Sequence, residues 1–344
     1  MIRRRLCLGA AATALTLPLA GCVTVHGERA LIPSVRSAEA ARVLADFAAQ
    51  NNKATKAYDE RAITSIEAGP LGAIDQAGVR AKHVNNPRGN PAYSPLAFSD
   101  QKFLIPEQRG WPKFFVADTK TNRNADARWL LAFRRSAPDQ PWKADFLGVA
   151  TPAQLPDFAL DKHGYAEPVP LAGTDLLVQP GQLSASYAGY LDGPAPTAEF
   201  ADGPSTSDLR TSHAKNRQTA NTVSQYIDQA DTDGDFAPVA LRTKDGGAVV
   251  FFGSRHQAKS TFRPGYQLTL DKDTQALTTG TPKTSITLMQ VAQEMVTVPA
   301  KPSGTSGTSG SSGSSGSSKG APKGLADKVV FVSRLVGLVS ATGA

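Results

Sequence analysis

Arg128-Trp129-Leu130-Leu131-Ala132-Phe133-Arg134-Arg135, followed by Ala137-Pro138-Asp139-Gln140-Pro141 and then Trp142-Lys143-Ala144-Asp145-Phe146-Leu147-Gly148-Val149-Ala150, is the stretch that decides the fold. Two aromatic and aliphatic runs flank a turn cluster whose prolines cannot donate to a strand ladder, so the three pieces predict an antiparallel hairpin. Gln101–Ile105 and Lys113–Asp118 have the same character and predict two more strands upstream.

Everything before them predicts helix. Ser37 can cap a helix whose apolar positions Ala40, Val43, Leu44, Phe47 and Ala48 recur at helical spacing, and Asn51-Asn52 weakens it. Asp59 can cap a second helix through Ile66, and Gly69-Pro70 ends that one before a third from about Leu71 to His83. Helices first and strands afterwards define an α+β chain.

The same order recurs from about Pro168. Helices are expected around Leu183–Leu191 and Ser207–Gln229, then strands at Pro238–Arg242, Ala248–Ser254, Ile286–Val298 and Lys328–Ser340. Thr287, Met289, Val291, Gln293 and Met295 share one face of the third of these by period-two alternation. The division is therefore residues 37–167 and 168–344, two tandem α+β modules in which helices pack on a curved antiparallel sheet, without residue-level repetition. Ser303–Ser318 holds only Gly, Ser and Thr and is expected to be a flexible coil, an overgrown hairpin tip that lets the apolar tail pair with the strand before it.

At the other end, Arg3, Arg4 and Arg5 precede an apolar run from Leu6 to Leu19, too short to span a bilayer and of signal-peptide length. The run closes on Leu19-Ala20-Gly21-Cys22, which resembles the lipobox of bacterial lipoproteins. That resemblance implies that residues 1–21 are removed, that Cys22 takes a diacylglycerol, and that 22–36 form a lipidated tether. The alternative is an ordinary secretory signal with a chance cysteine. Arg4-Arg5 before Leu6-Cys7-Leu8 resembles a twin-arginine signal, so both export routes stay open.

Without residues 1–21, Lys+Arg falls from 37 to 34 against 30 acids, and the net charge from +7 to +4. So mild a surplus carries no footprint for nucleic acid. Cys7 and Cys22 are the two cysteines, one lost with the signal and one consumed by lipid, so no disulfide is expected and the core must stabilise the fold.

Gly72-Ala73-Ile74-Asp75-Gln76-Ala77-Gly78, Gly110-Trp111-Pro112, Phe114-Phe115-Val116-Ala117-Asp118, Arg128-Trp129-Leu130-Leu131 and Ala237-Pro238-Val239-Ala240-Leu241 resemble stretches of uncharacterised actinobacterial (Streptomyces-type) lipoproteins. The resemblance covers most of the mature chain and implies no known activity. The layout also resembles NTF2-like or cystatin-like modules, where a curved sheet wraps helices and can leave a pocket; fold alone does not settle function.

Asp228, Asp231, Asp233 and Asp235 surround Gly234, and Asp231, Asp233 and Asp235 are the candidate cation ligands. The register is wrong for an EF-hand, since Gln229 and Ala240 would take the first and last ligand positions; an acidic solvated turn is the simpler account. Ser212-His213-Ala214-Lys215 matches Ser-x-x-Lys without the partner motifs, which leaves a solvated helix. His26, His83, His163, His213 and His256 lack metal-ligand spacing, and His83 suits a helix C-terminus. Arg134-Arg135 sends one guanidinium to each face of its strand. Trp111, Trp129 and Trp142 fall in the first sheet, as core or, on an open concave face, as contacts for a sugar or apolar ligand.

The expected protein is non-enzymatic, needs no cofactor, and sits on the outer face of the bacterial cytoplasmic membrane, held by lipid on Cys22. Its partners are an envelope protein, a glycan or an apolar ligand. A solute-binding lipoprotein of an importer is the alternative, although its strands and helices should alternate; a wall-active hydrolase is the third class, marked by a carboxylate pair or zinc site.

Overall fold

The computed structural model describes residues 30–194, 199–302 and 327–344. The signal segment 1–21, the lipobox with Cys22, most of the tether and the Gly/Ser tract 303–318 lie outside the described residues.

Helix α1 (Ser37–Ala57) buries Ala40, Leu44, Phe47 and Ala54. Ser37 is its first helical residue rather than its cap; Arg36 holds that place, its carbonyl accepting the Glu39 and Ala40 N–H groups at 2.9 Å. Asn51-Asn52 does not weaken the helix, because both amides have tertiary partners. Asn52 donates to the Leu96 carbonyl at 2.8 Å and accepts the Leu96 N–H at 2.7 Å. Tyr58, at φ 55°, ends α1, and Asp59 caps α2 (Glu60–Ile66) by accepting the Arg61 and Ala62 N–H groups. Gly69-Pro70 opens α3 (Gly69–Asn85), with proline in the first turn where its missing N–H costs nothing.

A two-residue strand β1 (Ile32–Pro33) pairs with β3 (Glu107–Gln108). The first sheet has the order β2 (Phe98–Leu104), β4 (Lys113–Thr121), β5 (Asn124–Arg135), β6 (Lys143–Ala150), all antiparallel. The predicted hairpin is β5–β6, with Leu131 opposite Leu147.

After α4 (Leu183–Asp192) comes α5, which spans only Ser207–Asn216; the helix expected to reach Gln229 gives way to strand β7 (Thr222–Asp231). Ser224 and Asp228 are the buried residues of that strand, and a spacing of four falls on one face of a strand as well as of a helix, so the spacing cannot separate the two. The second sheet continues with β8 (Val239–Arg242), β9 (Ala248–Phe262), the short α6 (Lys272–Ala276), β10 (Thr278–Gly280), β11 (Ser285–Val298) and β12 (Val330–Gly343). Its order is β10-β12-β11-β9-β7, with β8 also on β9; β10 runs parallel to β12 and the other pairs are antiparallel. The tail pairs with the strand preceding the Gly/Ser tract, Glu294 opposite Arg334.

Four layers result. Leu44, Phe47 and Ile66 from the first two helices pack on Phe115, Leu131 and Phe133 of the first sheet. The reverse face of that sheet, with Leu130 and Phe146, meets Val249, Phe251 and Met295 of the second. The far face of the second sheet, with Val250, Phe252 and Val296, is covered by Leu183, Tyr187 and Tyr190 of α4. Burial of each such side chain stabilises by about 1.5–3 kcal/mol, more than a typical surface ion pair. Helix α3 packs on β6 and also on β9, β11, β12 and α6. Glycines let it approach: a Cβ on Gly337 would fall 2.5 Å from Ile74, and one on Gly253 2.7 Å from Pro70.

Candidate functional site

Helices α1 to α3 do not cover the whole inner face of the first sheet. They leave a cavity of about 340 Å³, walled by Phe47, Leu71, Trp129, Leu131 and Leu147, with Glu67 and Asp75 among its lining.

Glu67 follows α2 and is tied down by its backbone: it bridges Ala144 of β6, and the next N–H, of Ala68, donates to the Ala144 carbonyl at 3.0 Å. Its side chain is therefore turned inward and is 1% exposed. Asn51 of α1 donates to Oε1 at 3.4 Å, while Oε2 is buried with no donor. Asp75 of α3 is in hydrogen-bonding contact with the Glu67 carboxyl and keeps some exposed surface. Burial is the main cause that raises both carboxyls; Asp75, held down in part by Lys82, reaches about 6, and its charge pushes Glu67 further up. Two carboxyls so placed resist ionising together, so the pair keeps a proton to higher pH than either carboxyl alone would.

The wall beside them is opened by a glycine. A Cβ on Gly78, in the interior of α3, would meet nothing within 4 Å. A helix-interior glycine costs about 1 kcal/mol relative to alanine, and the space it leaves belongs to the cavity.

A second polar cluster lies across the face of the second sheet that meets α4. His256 Nδ1–H donates to Asp228, and Nε2 lies 2.9 Å from Ser254 Oγ and accepts from Arg334 at 3.0 Å. The Ser254 hydroxyl donates to Glu294 at 2.8 Å. Burial raises Glu294 to about 7, with Arg334 pulling it down. The acid, imidazole, hydroxyl order matches a nucleophilic triad, but Ser254 has no exposed surface, so no substrate atom reaches its oxygen; the chain of bonds ties β7, β9, β11 and β12 together.

The residues singled out by sequence are dispersed. Trp129 lines the cavity, edge-on to Phe98 at 6.2 Å. Trp142 sits elsewhere, edge-on to Phe115 at 5.0 Å and donating Nε1–H to Glu39 at 3.2 Å. Trp111 and Trp142 flank the Arg135 guanidinium at 5.4 and 5.8 Å. Arg134 points the other way, paired with Asp145 at 2.7 Å and donating to the Gly234 and Ala237 carbonyls, so it pins the acidic turn to the first sheet. Asp231 is drawn off to Arg255 at 2.5 Å, Asp233 caps a single 3₁₀ turn and Asp235 lies within it. No group of three or more His, Cys, Asp or Glu among the described residues is placed to hold a metal ion. Ser212 and Lys215 are exposed on α5, and His83 stands at the end of α3. Cys22 and His26 lie outside the described residues.

Glu67, Asp75 and Asn51 were not singled out by the sequence. The signal that points to them is Gly72 and Gly78 inside one helix, both unfavourable there unless the space is used.

An α+β fold with a cavity between its helices and first sheet, and no helix among the described residues long and apolar enough to cross a membrane, defines the class. The chain belongs to the family described as a domain of unknown function, DUF8094, which matches residues 32–314. It is 46% identical to an uncharacterized lipoprotein of Streptomyces coelicolor over 294 residues, covering 85% of this chain and 89% of that protein. It is 41% identical to an uncharacterized lipoprotein of Streptomyces avermitilis over 335 residues, 97% of this chain and 93% of that protein. A further uncharacterized lipoprotein of Streptomyces coelicolor is 27% identical over 323 residues, 87% of this chain and 90% of that protein. No solved structure matches the chain.

Proposed function

We propose that this protein is a lipid-anchored binding protein of the cell envelope that takes a small ligand in the cavity between α1–α3 and the first sheet. The observation that carries it is the cavity itself, about 340 Å³ and within the size range of small-molecule sites, whose lining combines apolar and aromatic side chains with polar ones, the carboxyls of Glu67 and Asp75 among them. Trp129 is the one tryptophan of the three in contact with that space. The lipobox-like Leu19–Cys22 and the lipoprotein names of the relatives support attachment through Cys22, on the outer face of the cytoplasmic membrane. We describe the halves, 37–167 and 168–344, as NTF2-like or cystatin-like modules.

The carboxylate pair does not favour a glycoside hydrolase, whose two carboxyls stand about 5–9.5 Å apart to admit sugar or water. Glu67 and Asp75 stand within hydrogen-bonding reach of each other, which leaves no such gap between them.

Gly78→Leu places a side chain in the open space beside α3 and takes up part of the cavity. A thermal-shift screen of sugars, amines and short fatty acids against the wild type and Gly78→Leu tests the reading. A ligand class that stabilises the wild type but not the variant is expected; compounds that stabilise neither, or both equally, overturn it. Membrane fractionation of Cys22→Ser tests the anchor, with release from the membrane expected and unchanged retention contradicting it.

A further inference from the structure

We infer that the ligand of this cavity is a small organic monocation, an alkylammonium whose positive head is held by Glu67 and Asp75; the inference rests on the binding reading above.

The buried Glu67 and the partly buried Asp75 stand side by side, and none of the described lysines or arginines forms an ion pair with either, Lys82 acting on Asp75 only from beyond ion-pair distance, so the two carboxyls leave room for a cation in contact with them. Lys82 and Arg123, the cations among the lining residues, are exposed, and Arg123 is occupied with the Ser94 carbonyl at 2.6 Å. Apart from the Asp75 carboxyl, no donor among the described residues reaches Glu67 Oε2, and Glu67 lines the space. An ammonium supplies three N–H donors and a full charge at that point, where a neutral hydroxyl supplies one donor and no charge. Phe47 and Trp129 offer faces and edges to the methylenes behind the head, and an aromatic wall is also favourable for a cation. Lys82 and Arg123 repel any cation in proportion to its charge, so a single charge placed against the carboxyls is favoured over two. Tyr58 and Tyr93 complete the titratable groups around the space.

Binding is an exchange. The ammonium enters with its charge, the O–H bond of the protonated carboxyl breaks, and that proton leaves to water or buffer, so one cation replaces another between the two oxygens. Affinity therefore rises about tenfold per pH unit while the pair still holds its proton, and levels off above that range.

The test is calorimetric titration of the full mature chain with n-butylammonium, n-butanol and n-butyrate, in two buffers of different ionisation enthalpy. Binding of butylammonium in preference to butanol and butyrate, with about one proton released to buffer per ligand, is the expected result. Asp75→Asn weakens it at least about tenfold, the loss of one charge-assisted contact. Glu67→Gln keeps the charge on Asp75 but has no shared proton, so it binds without release and without the pH dependence. Butylammonium that fails to bind, or binds no better than butanol, overturns the inference; if another compound class still requires an unfilled cavity at Gly78, the binding reading survives it. If Asp75→Asn does not fold, the proton count and Glu67→Gln decide.

Discussion

Gly148 of β6 stands directly against Met295 of β11: a Cβ added to the glycine would fall 2.5 Å from the methionine sulfur. The two sheets close on each other at this point because one strand offers no side chain and the other a long, adaptable one. Gly148→Val forces the sheets apart or Met295 out of its rotamer. A loss of about 1–3 kcal/mol is expected in urea unfolding, partly recovered by adding Met295→Ala. An unchanged midpoint would mean that the sheets do not meet there.

The Asn52 clamp on Leu96 makes a second expectation. The amide satisfies both the N–H and the carbonyl of a buried residue, so Asn52→Ala strands two backbone groups. Destabilisation of about 1–3 kcal/mol follows, against a few tenths for alanine at the exposed neighbour Lys53, measured by the same unfolding.

Acidity acts on this fold through buried acids. Burial raises Asp75 from the ordinary 3.8 to about 6, Asp145 from 3.8 to about 7 and Glu294 from 4.5 to about 7. The folded state keeps protons that the unfolded chain has lost, so the stability these groups contribute is full below their ordinary values and is lost as pH rises through about 6 and 7. His213, lowered by burial, works in the opposite direction, its contribution being lost as pH falls below 6.5. These raised acids, with Glu67 beside them, outweigh the one lowered base, so the denaturation midpoint should fall between about pH 5 and pH 8, and Glu294→Gln should flatten the profile. A midpoint that rises over that range contradicts these assignments.

Gly78 offers the reverse experiment. Its position is helical and its missing Cβ faces open space, so Gly78→Ala removes backbone entropy from the unfolded chain without a clash. A gain of about 0.4–1 kcal/mol is expected from thermal unfolding. A loss would show that the wall of the cavity is already filled there.

The β5–β6 hairpin, the helical N-terminal third and the pairing of the tail with β11 were legible because each rests on local pattern: turn chemistry, a cap such as Asp59, or alternation that leaves one answer. Strand β7 was hidden because Ser224 and Asp228 satisfy helix and strand alike. The end of α1 was hidden because Asn51 and Asn52 are weak helix formers whose partners, Glu67 and Leu96, are far along the chain. Trp129 could be named as a candidate contact, but nothing in its neighbours separates it from Trp111 and Trp142; only the helices above the sheet do that. Asp75 lay in view within Gly72–Gly78, and its meaning depends on Glu67 being folded back against it.

The most direct test of the cavity as a binding site is the ¹H–¹⁵N spectrum of the three tryptophan indoles during titration with n-butylammonium. Trp129 lines the space, while Trp111 and Trp142 flank Arg135 outside it. The account predicts a saturable shift of the Trp129 indole alone, absent in Gly78→Leu; equal shifts of all three, or a Trp129 shift that persists in the filled variant, would contradict it.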